Sequence, residues 1–273
     1  HRQRGFHVTG TVNVFGAAVA AGYILELDRR QMLSALGIAG SQASGLFEFR
    51  SNGAMTMAFH AGRAAQSGIM AAFLAADGFT GPGTILEGAD GFCRAYSDRT
   101  DFTVITDGIG ECYKLMEVGL RPYCACRYAH SGIDAVERIR RKRGGLDPEE
   151  IEEIVVETHR VAVEQESEPN TTVGARLSTA FNIALAIVDG PRLTEVGIAD
   201  LGRQEVLSLA SRIKIVEALD LTAMYPEVWA SRVHLKMAGG EVATAQVDVP
   251  KGDPQNPLTA AEIEDKFRAL CKG

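Results

Sequence analysis

The strongest constraint on the fold is a run of small residues in the first third of the chain. Sixteen of the 37 alanines lie between residues 17 and 76, and most of the other residues there are Gly, Leu, Ile, Met and Phe. Helices that carry small side chains can approach each other closely. The pattern therefore predicts an all-helical core, with helices over residues 11–27 and 62–76. Asp28 and Gln31 form a capping-box pattern for a helix between these two, which ends near residues 37–40.

After about residue 100, segments typical of strands alternate with segments typical of helices. The predicted elements are a short strand at 104–105, a helix over 131–143, a helix start at 147–150, a β-rich segment over 154–161, a helix over 174–189, a strand over 212–216, a hairpin with strands 232–237 and 242–249, and a final helix that begins with a capping box of Thr259 and Glu262. This alternation predicts a small mixed sheet with helices on one face.

Together these patterns predict an α+β fold. A large all-helical domain occupies residues 1–118, a smaller mixed α/β domain occupies 119–250, and a C-terminal segment, 251–273, returns to the helical domain. The chain starts abruptly beside a helical core, which suggests that residues are missing upstream.

Charge and hydropathy exclude two classes of partner. The 28 Lys and Arg against 35 Asp and Glu give a net charge of −7. An acidic chain repels phosphate backbones, so we expect no nucleic-acid partner. The apolar stretch from Val8 to Leu27 contains Thr, Asn and several Gly residues. It is typical of a buried helix in a soluble protein, so we expect no membrane partner.

The five cysteines are scattered, and their spacing fits neither a disulfide framework nor a zinc ribbon. Reduced thiols in a cytoplasmic protein are the expectation. Cys124 and Cys126 could form a redox or cluster pair, but two small packing residues are the better interpretation. The chain has no dinucleotide-binding glycine motif, no Walker loop and no metal-ligand spacing. We therefore expect no cofactor and no metal.

Three histidines are candidate catalytic residues because each has an arginine close by in the sequence. They are His7, His60 and His130. His60 is predicted just ahead of a helix and His130 at the start of another. A helix N-terminus favours neutral imidazole and attracts anions, which suits a base acting beside a carboxylate. The alternative is that each histidine caps a helix or packs in the core.

Arginines supply the candidate substrate-binding groups, because a guanidinium binds a carboxylate through two parallel hydrogen bonds. The candidates are Arg63, Arg121, Arg127 and Arg176. Surface ion pairs are the alternative for each of them. These residue types indicate acid–base chemistry on a small anionic carboxylate.

Several motifs, spread in order along the chain, resemble the MmgE/PrpD family. That family includes 2-methylcitrate dehydratase, cis-aconitate decarboxylase and iminodisuccinate epimerase. The matching segments are residues 4–11, 15–18, 35–46, 60–68, 78–82, 121–127 with His130 and residues 133–135, and 256–259.

The resemblance implies a helical domain plus an α+β domain, a homodimer, and chemistry next to the carboxylates of small polycarboxylates without a metal or organic cofactor. His7 matches the family's His in the Gly-Phe-His motif, and His60 matches the His of its Lys-x-x-His pattern. This chain also departs from the family. Met57 and Arg121 stand where lysines are usual, and a further lysine and a tyrosine are replaced by Arg176 and Phe181.

Three hypotheses for function follow. The first is a lyase of the dehydratase or decarboxylase type, with His7 or His60 as the base, Arg121 and Arg176 as carboxylate ligands, and His130 as a proton donor or orienting group. The second is an epimerase, which needs two acid–base groups on opposite faces of the substrate. The third is a binding paralogue without catalytic activity.

Overall fold

The computed structural model describes residues 1, 4–191 and 196–271. The chain divides into two compact units, residues 1–112 and 113–273. Helices build the first unit, whereas the second combines helices with a four-stranded sheet. The predicted α+β class is therefore confirmed.

The first unit contains seven helical segments among its described residues. They are α1 (Val8–Thr11), α2 (Asn13–Ile24), α3 (Arg29–Ser41), α4 (Phe49–Asn52), α5 (Thr56–Ala76), α6 (Phe92–Tyr96) and α7 (Thr103–Thr106). Three predictions are wrong here. The helix predicted over 11–27 is divided at Val12 between α1 and α2, and it ends at Ile24. Helix α5 begins at Thr56, six residues before the predicted start, and the predicted strand at 104–105 is the single helical turn α7.

The predicted capping box at the start of α3 is confirmed. The Gln31 backbone N–H donates to the Asp28 carboxylate at 2.8 Å, and the Asp28 N–H donates to the Gln31 side chain at 3.0 Å. These bonds satisfy two donors that the first helical turn leaves without partners, so the sequence determines this helix start locally.

Small residues bring α5 and α2 into close contact. A Cβ atom added at Gly68 of α5 would lie 2.6 Å from the carbonyl oxygen of Val14 and 2.5 Å from the Cβ of Ala17. Val14 and Ala18 are fully buried at this crossing. The alanine-rich composition thus lets the backbone of one helix lie directly against the next, as the sequence predicted.

Replacing Gly68 with Ala should destabilise the first unit by about 1–3 kcal/mol, because the new methyl group overlaps the α2 backbone. Gly62→Ala in the same helix is the matched control, since a Cβ there meets nothing within 4 Å. The control should stabilise the helix by about 0.5–1 kcal/mol. Urea unfolding followed by far-UV circular dichroism measures both, and equal effects of the two variants would contradict the packing argument.

The second unit contains four strands and seven α-helices among its described residues. The strands are β1 (Ile151–Thr158), β2 (Ile213–Glu217), β3 (Ser231–Met237) and β4 (Val242–Val247). The helices are α8 (Arg127–Arg143), α9 (Arg160–Glu164), α10 (Thr172–Leu177), α11 (Thr179–Asp189), α12 (Gln204–Ala210), α13 (Leu219–Met224) and α14 (Ala260–Leu270). Short 3-10 turns span Lys114–Glu117, Pro148–Glu150 and Ile198–Gly202.

The sheet has the order β2-β1-β3-β4. Strand β1 pairs in parallel with β2 and antiparallel with β3, and β3 and β4 form the predicted hairpin. Helix α8 packs on β3 and β4, and α11 packs against α8 and β2. Their apolar faces form one buried core with the sheet, which includes Ile133, Val136 and Ile139 of α8.

Four predicted boundaries in the second unit are wrong. The β-rich segment predicted over 154–161 is β1, which spans Ile151–Thr158, and α9 begins at Arg160. Helix α8 starts at Arg127, four residues before the predicted start, and Ala129 and His130 in its first turn are buried. The helix start at 147–150 gives one 3-10 turn, because the chain enters β1 at Ile151. The helix predicted over 174–189 is two helices that meet at Ser178, whose hydroxyl accepts from the Phe181 N–H at 3.2 Å.

The capping box of Thr259 and Glu262 is confirmed at the start of α14. Within the second unit, Lys266 of α14 donates to the Arg121 carbonyl at 2.6 Å and Lys251 pairs with Glu262 at 3.0 Å. The return of this segment to the helical domain stays a prediction. None of the described helices combines the length and the apolar character needed to cross a membrane.

Candidate active site

Two of the three candidate histidines meet in the first unit. His7 directly precedes α1, and its backbone is held by a short antiparallel contact in which the His7 N–H donates to the Gly45 carbonyl at 3.0 Å. His60 lies in the second turn of α5. The two imidazoles are hydrogen-bonded through their Nδ1 atoms, which are 2.8 Å apart. The structure therefore joins two residues that are 53 positions apart in the sequence.

The predicted placement of His60 ahead of a helix is wrong, because α5 begins four residues earlier, at Thr56. His60 is instead a side chain on the face of a long helix, and it is half-buried, as is His7. The helix terminus therefore does not act on His60 as the sequence suggested. Its hydrogen-bond partner is instead the imidazole of His7.

Glycine and aromatic side chains surround the histidine pair. A Cβ at Gly45 would lie 3.4 Å from the His60 Cγ and Nδ1 atoms, and one at Gly10 would lie 2.4 Å from the Ser44 carbonyl oxygen. The rings of Phe47 and Phe49 lie 4.8 and 5.3 Å from the His7 ring, between centroids. Sequence reasoning did not single out these residues, although the segment with Gly45 belongs to the motifs quoted above.

Arg63 follows His60 by three residues on α5, so the two share one face of the helix. It is half-buried, and its Nη1 atom donates to the Gln66 side chain at 3.1 Å. Among the four predicted arginines, Arg63 is the one that lies in the same unit as the histidine pair, and its role in binding an anion stays a prediction.

His130 lies in the second unit, in the first turns of α8, and is 2% exposed. Its Nε2 atom is 3.2 Å from the Ala125 carbonyl oxygen. Burial lowers the pKa of His130 to about 4; the Ala125 carbonyl opposes this shift, while Arg121, Arg127 and Lys266 add to it. A neutral, buried imidazole that donates to a backbone carbonyl fits the packing alternative better than the predicted proton donor.

The three other predicted arginines belong to the second unit. Arg121 is exposed, and Arg176 is in the last turn of α10, where its carbonyl accepts from the Cys126 N–H at 2.8 Å. Arg127 pairs with Asp253 at 2.5 Å and stacks over the Trp229 ring at 4.7 Å. Its guanidinium is therefore engaged by internal partners. Arg121, Arg127 and Arg176 as substrate ligands remain predictions.

An aromatic cluster around a second buried histidine escaped the sequence analysis. His159 is 2% exposed, and its Nδ1 atom accepts from the Ala162 N–H at 3.3 Å. Its ring stacks on Tyr225 at 4.2 Å and meets Trp229 edge-on at 5.9 Å. Burial lowers the pKa of His159 to about 4. The cluster joins residues that are 70 positions apart, so no local pattern indicated it.

A pocket of about 290 Å³ lies in the second unit, apart from the predicted site residues. At its wall the Tyr123 hydroxyl donates to the half-buried Asp134 carboxylate, and desolvation raises the pKa values of both groups. Three carboxylates and three cations line it, so it has no excess of positive charge for a polycarboxylate. The lining residues are Tyr123, Asp134, Glu137, Arg138, Arg141, Pro191, Lys251, Asn256 and Glu262.

No disulfide joins any of the five cysteines, all of which lie in the described part of the chain. Across residues 1, 4–191 and 196–271, no group of three or more His, Cys, Asp or Glu side chains is arranged to hold a metal ion.

Comparison with known families covers nearly the whole chain. Residues 1–105 match the MmgE/PrpD N-terminal domain, and residues 123–273 match the MmgE/PrpD C-terminal domain. The chain belongs to the MmgE/PrpD family. The resemblance found in the sequence motifs is thereby confirmed.

Similar curated proteins include cis-aconitate decarboxylases of three organisms. The Aspergillus terreus protein is 24% identical over 286 residues, covering 98% of this chain and 58% of its own length. The Mus musculus protein is 25% identical over 280 residues, covering 98% and 57%. The Homo sapiens protein is 26% identical over 275 residues, covering 97% and 56%. This MmgE/PrpD chain thus spans somewhat more than half the length of these relatives.

Met57 and Phe181 are two of the residues at which this sequence departs from the MmgE/PrpD pattern, and the structure shows where they lie. Met57 is half-buried on α5, three residues before His60, so a thioether replaces an ammonium group on the face that carries the histidine. Phe181 is fully buried in the core of the second unit. Neither the thioether of Met57 nor the phenyl ring of Phe181 can exchange a proton at neutral pH.

The buried histidines should make the second unit acid-sensitive. Their folded pKa values of about 4 lie below the ordinary 6.5, so the unfolded chain binds more protons between these values. Stability is therefore complete above pH 6.5 and is lost as the pH falls toward 4. We expect each histidine to cost about 2 kcal/mol between pH 7 and pH 5.

Urea unfolding, followed by the fluorescence of Trp229, the single tryptophan of the chain, measures this loss. His130→Gln keeps a donor at the Nε2 position and His159→Asn keeps an acceptor at the Nδ1 position, so each should remove its own share of the pH dependence. An unaltered slope in both buried-site variants would refute the assignment.

Proposed function

We propose that the protein is a lyase of the dehydratase or decarboxylase type that acts on a small di- or tricarboxylic acid, as 2-methylcitrate dehydratase does. In this proposal it removes a proton next to a carboxylate and then releases water or CO₂, without a cofactor. Membership of the MmgE/PrpD family and the cis-aconitate decarboxylases among its relatives support this class of reaction. A homodimer in the cytoplasm belongs to the same proposal.

The observation that carries the proposal is the hydrogen bond between His7 and His60. A half-buried imidazole whose second nitrogen is held by another ring has a defined orientation and tautomer, as a general base requires. One histidine takes the proton, and the other stabilises the charge that the first acquires. His130 is the weaker candidate, because burial holds it neutral and its Nε2 atom is bonded to a backbone carbonyl.

Arginines would bind the substrate carboxylates and stabilise the enolate-like charge that develops when the proton leaves. Arg63 is the first candidate, since it lies one helical turn from His60. Arg121 and Arg176 are the candidates from the second unit. Arg127 is the least favoured, because Asp253 and Trp229 already hold its guanidinium.

The hydrogen bond between His7 and His60 weighs against an epimerase that uses these two histidines. Epimerisation by two groups needs one acid–base residue on each face of the reacting carbon, with the substrate between them. His7 and His60 bond directly to each other at 2.8 Å, so no substrate fits between their facing nitrogens. A lyase that works on one face of the substrate suits this arrangement better.

Turnover can be tested by proton NMR in D₂O with a panel of 2-methylcitrate, citrate, cis-aconitate and iminodisuccinate. Net loss of water or CO₂ from one of the acids is the expected result. Interconversion of stereoisomers without net loss would establish the epimerase instead. Ligand-dependent thermal stabilisation with no deuterium incorporation or conversion would establish the binding paralogue.

Removing either histidine should abolish turnover while the fold survives. We expect His7→Ala and His60→Ala to lower kcat by about 100-fold or more, because each deletes an acid–base group. His234→Ala is the matched control and should retain wild-type kcat. Circular dichroism verifies folding of all three, and full activity in either active-site variant would remove that residue from the mechanism.

Arg63→Gln should mainly raise KM if the guanidinium binds a carboxylate equally in the ground and transition states, and should lower kcat if it stabilises the enolate. Arg30→Gln, at an exposed position on α3, is the control. Steady-state kinetics with the acid that is converted in the NMR panel separates the two effects. Unchanged kinetics would exclude Arg63 from the site.

A further inference from the structure

The bond between His7 and His60 couples the tautomers of the two rings. A neutral imidazole carries one hydrogen, on either Nδ1 or Nε2. Because the rings meet Nδ1 to Nδ1 at 2.8 Å, one Nδ1 atom must carry a hydrogen and the other must accept it. The donor ring therefore has a bare Nε2 atom, which is a base. The acceptor ring has a hydrogen on Nε2, which makes it an acid.

We propose that His7 and His60 act as one bifunctional unit. When the Nε2 atom of one ring takes up a proton, the shared hydrogen moves between the Nδ1 atoms, and the Nε2–H group of the other ring can then release a proton. The proposal rests on the lyase function proposed above. It adds that the base and the acid of the reaction are the two ends of one hydrogen-bonded pair, which we call the histidine dyad.

The proton balance of a dehydration follows from this arrangement. The bare Nε2 atom of the first ring takes a proton from the substrate carbon, and that C–H electron pair forms the C=C bond. The first ring passes its Nδ1 hydrogen to the second ring. The second ring gives its Nε2 hydrogen to the departing hydroxyl, which leaves with the C–O electron pair as water. Both rings end neutral with their tautomers exchanged, and proton exchange with water restores the starting arrangement.

The surroundings of the dyad favour a single shared hydrogen. Phe49 is 4% exposed, and its ring lies 5.3 Å from His7 and 5.8 Å from His60, between centroids. The Phe47 ring lies 4.8 Å from the His7 ring, between centroids. Two imidazolium ions in contact would repel each other, and Nδ1 hydrogens on both rings would break the bond between them. A dyad with one Nδ1 hydrogen avoids both costs.

Gly45 and Gly10 set the separation of the dyad. Gly45 has a φ of +139° and accepts the His7 N–H on its carbonyl, while its Cα faces the His60 ring. Gly10 lies between Gly45 and the His60 Cβ atom, and an added methyl group there would meet the Ser44 carbonyl. Both glycines are positioning residues in this proposal. A side chain at Gly45 would be strained by the positive φ, and its Cβ would lie 3.3 Å from the Gly10 Cα, while a Cβ at Gly10 would overlap the Ser44 carbonyl.

The tautomers can be read directly by NMR of the protein labelled with ¹⁵N-histidine, because the long-range ring correlations distinguish a hydrogen on Nδ1 from one on Nε2. The expected result is complementary tautomers, with one Nδ1–H ring and one Nε2–H ring. The spectra of His7→Ala and His60→Ala assign the two signals. Matching Nε2–H tautomers in both rings would overturn the dyad, as would a His7 spectrum that His60→Ala leaves unchanged.

His60→Asp separates the two roles in activity. A carboxylate at this position accepts the His7 Nδ1 hydrogen, so the His7 Nε2 atom carries no hydrogen. The base therefore remains, while the acid is removed. Exchange of the substrate proton with D₂O should stay within about threefold of wild type, whereas loss of water should fall by about 100-fold or more. Equal loss of exchange and elimination in a folded variant, or retention of both, would contradict the dyad.

Gly45→Ala tests the positioning, with Gly16→Ala as its control, since a Cβ at Gly16 meets nothing within 4 Å. Gly45→Ala should remove the complementary tautomers, and Gly16→Ala should keep them. The outcomes also separate the two proposals. Complementary tautomers without turnover of any acid would support the dyad and refute the lyase, whereas turnover with identical tautomers would refute the dyad and leave the lyase standing.

Discussion

The backbone of α5 lies so close to α2 that the crossing has no room for a Cβ atom at Gly68. Much of the first unit depends on this constraint. Helix α1 runs into α2 with one residue between them, so the position of α2 determines where His7 begins the helical segment. His60 is on α5, two turns before Gly68. A hydrogen bond of 2.8 Å between two side chains that are 53 residues apart therefore relies on a contact between two helix backbones.

In the second unit, other contacts hold the candidate histidine His130 and the buried His159 in place. The first turn of α8 is attached to the segment that precedes β3, because the Ser131 hydroxyl donates to the Trp229 carbonyl and Arg127 lies over the Trp229 ring. His130 is enclosed in that turn and His159 in the adjoining aromatic cluster. Both imidazoles are held neutral, so they contribute packing and acid sensitivity. The histidines of the two units thus differ in environment more than in sequence context.

Local patterns predicted the parts of the fold that local interactions determine. The capping boxes at Asp28 and Thr259 each involve residues three positions apart, and the β3–β4 hairpin turns within four residues. Helix α5 was predicted six residues too short, because its first turns lack a cap and depend on tertiary packing. The β-branched residues at 104–105 suggested a strand, but no neighbouring strand is described there and the chain forms a helical turn.

The sequence predicted which residues belong to the candidate site, but it could not predict how they are arranged. Sequence motifs selected His7 and His60, yet nothing in the sequence shows that their Nδ1 atoms meet. They also selected His130 equally, because burial is a property of the folded core that flanking residues do not reveal. Arg127 illustrates the same limit, since its partner Asp253 is 126 residues away. Gly45 was part of a recognised motif, but only the close approach of the His60 ring gives it a role.

The strand order has a consequence for biosynthesis. Strand β1 is central in the sheet but is made first, and its partners β2 and β3 begin only at residues 213 and 231. During translation β1 therefore emerges with both hydrogen-bonding edges unpaired and with Ile151, Ile154 and Val156 exposed to solvent. Non-local pairing of this kind is slow to form and leaves strand edges open to other chains. The nascent second unit is thus most prone to aggregation in the interval before its third strand leaves the ribosome.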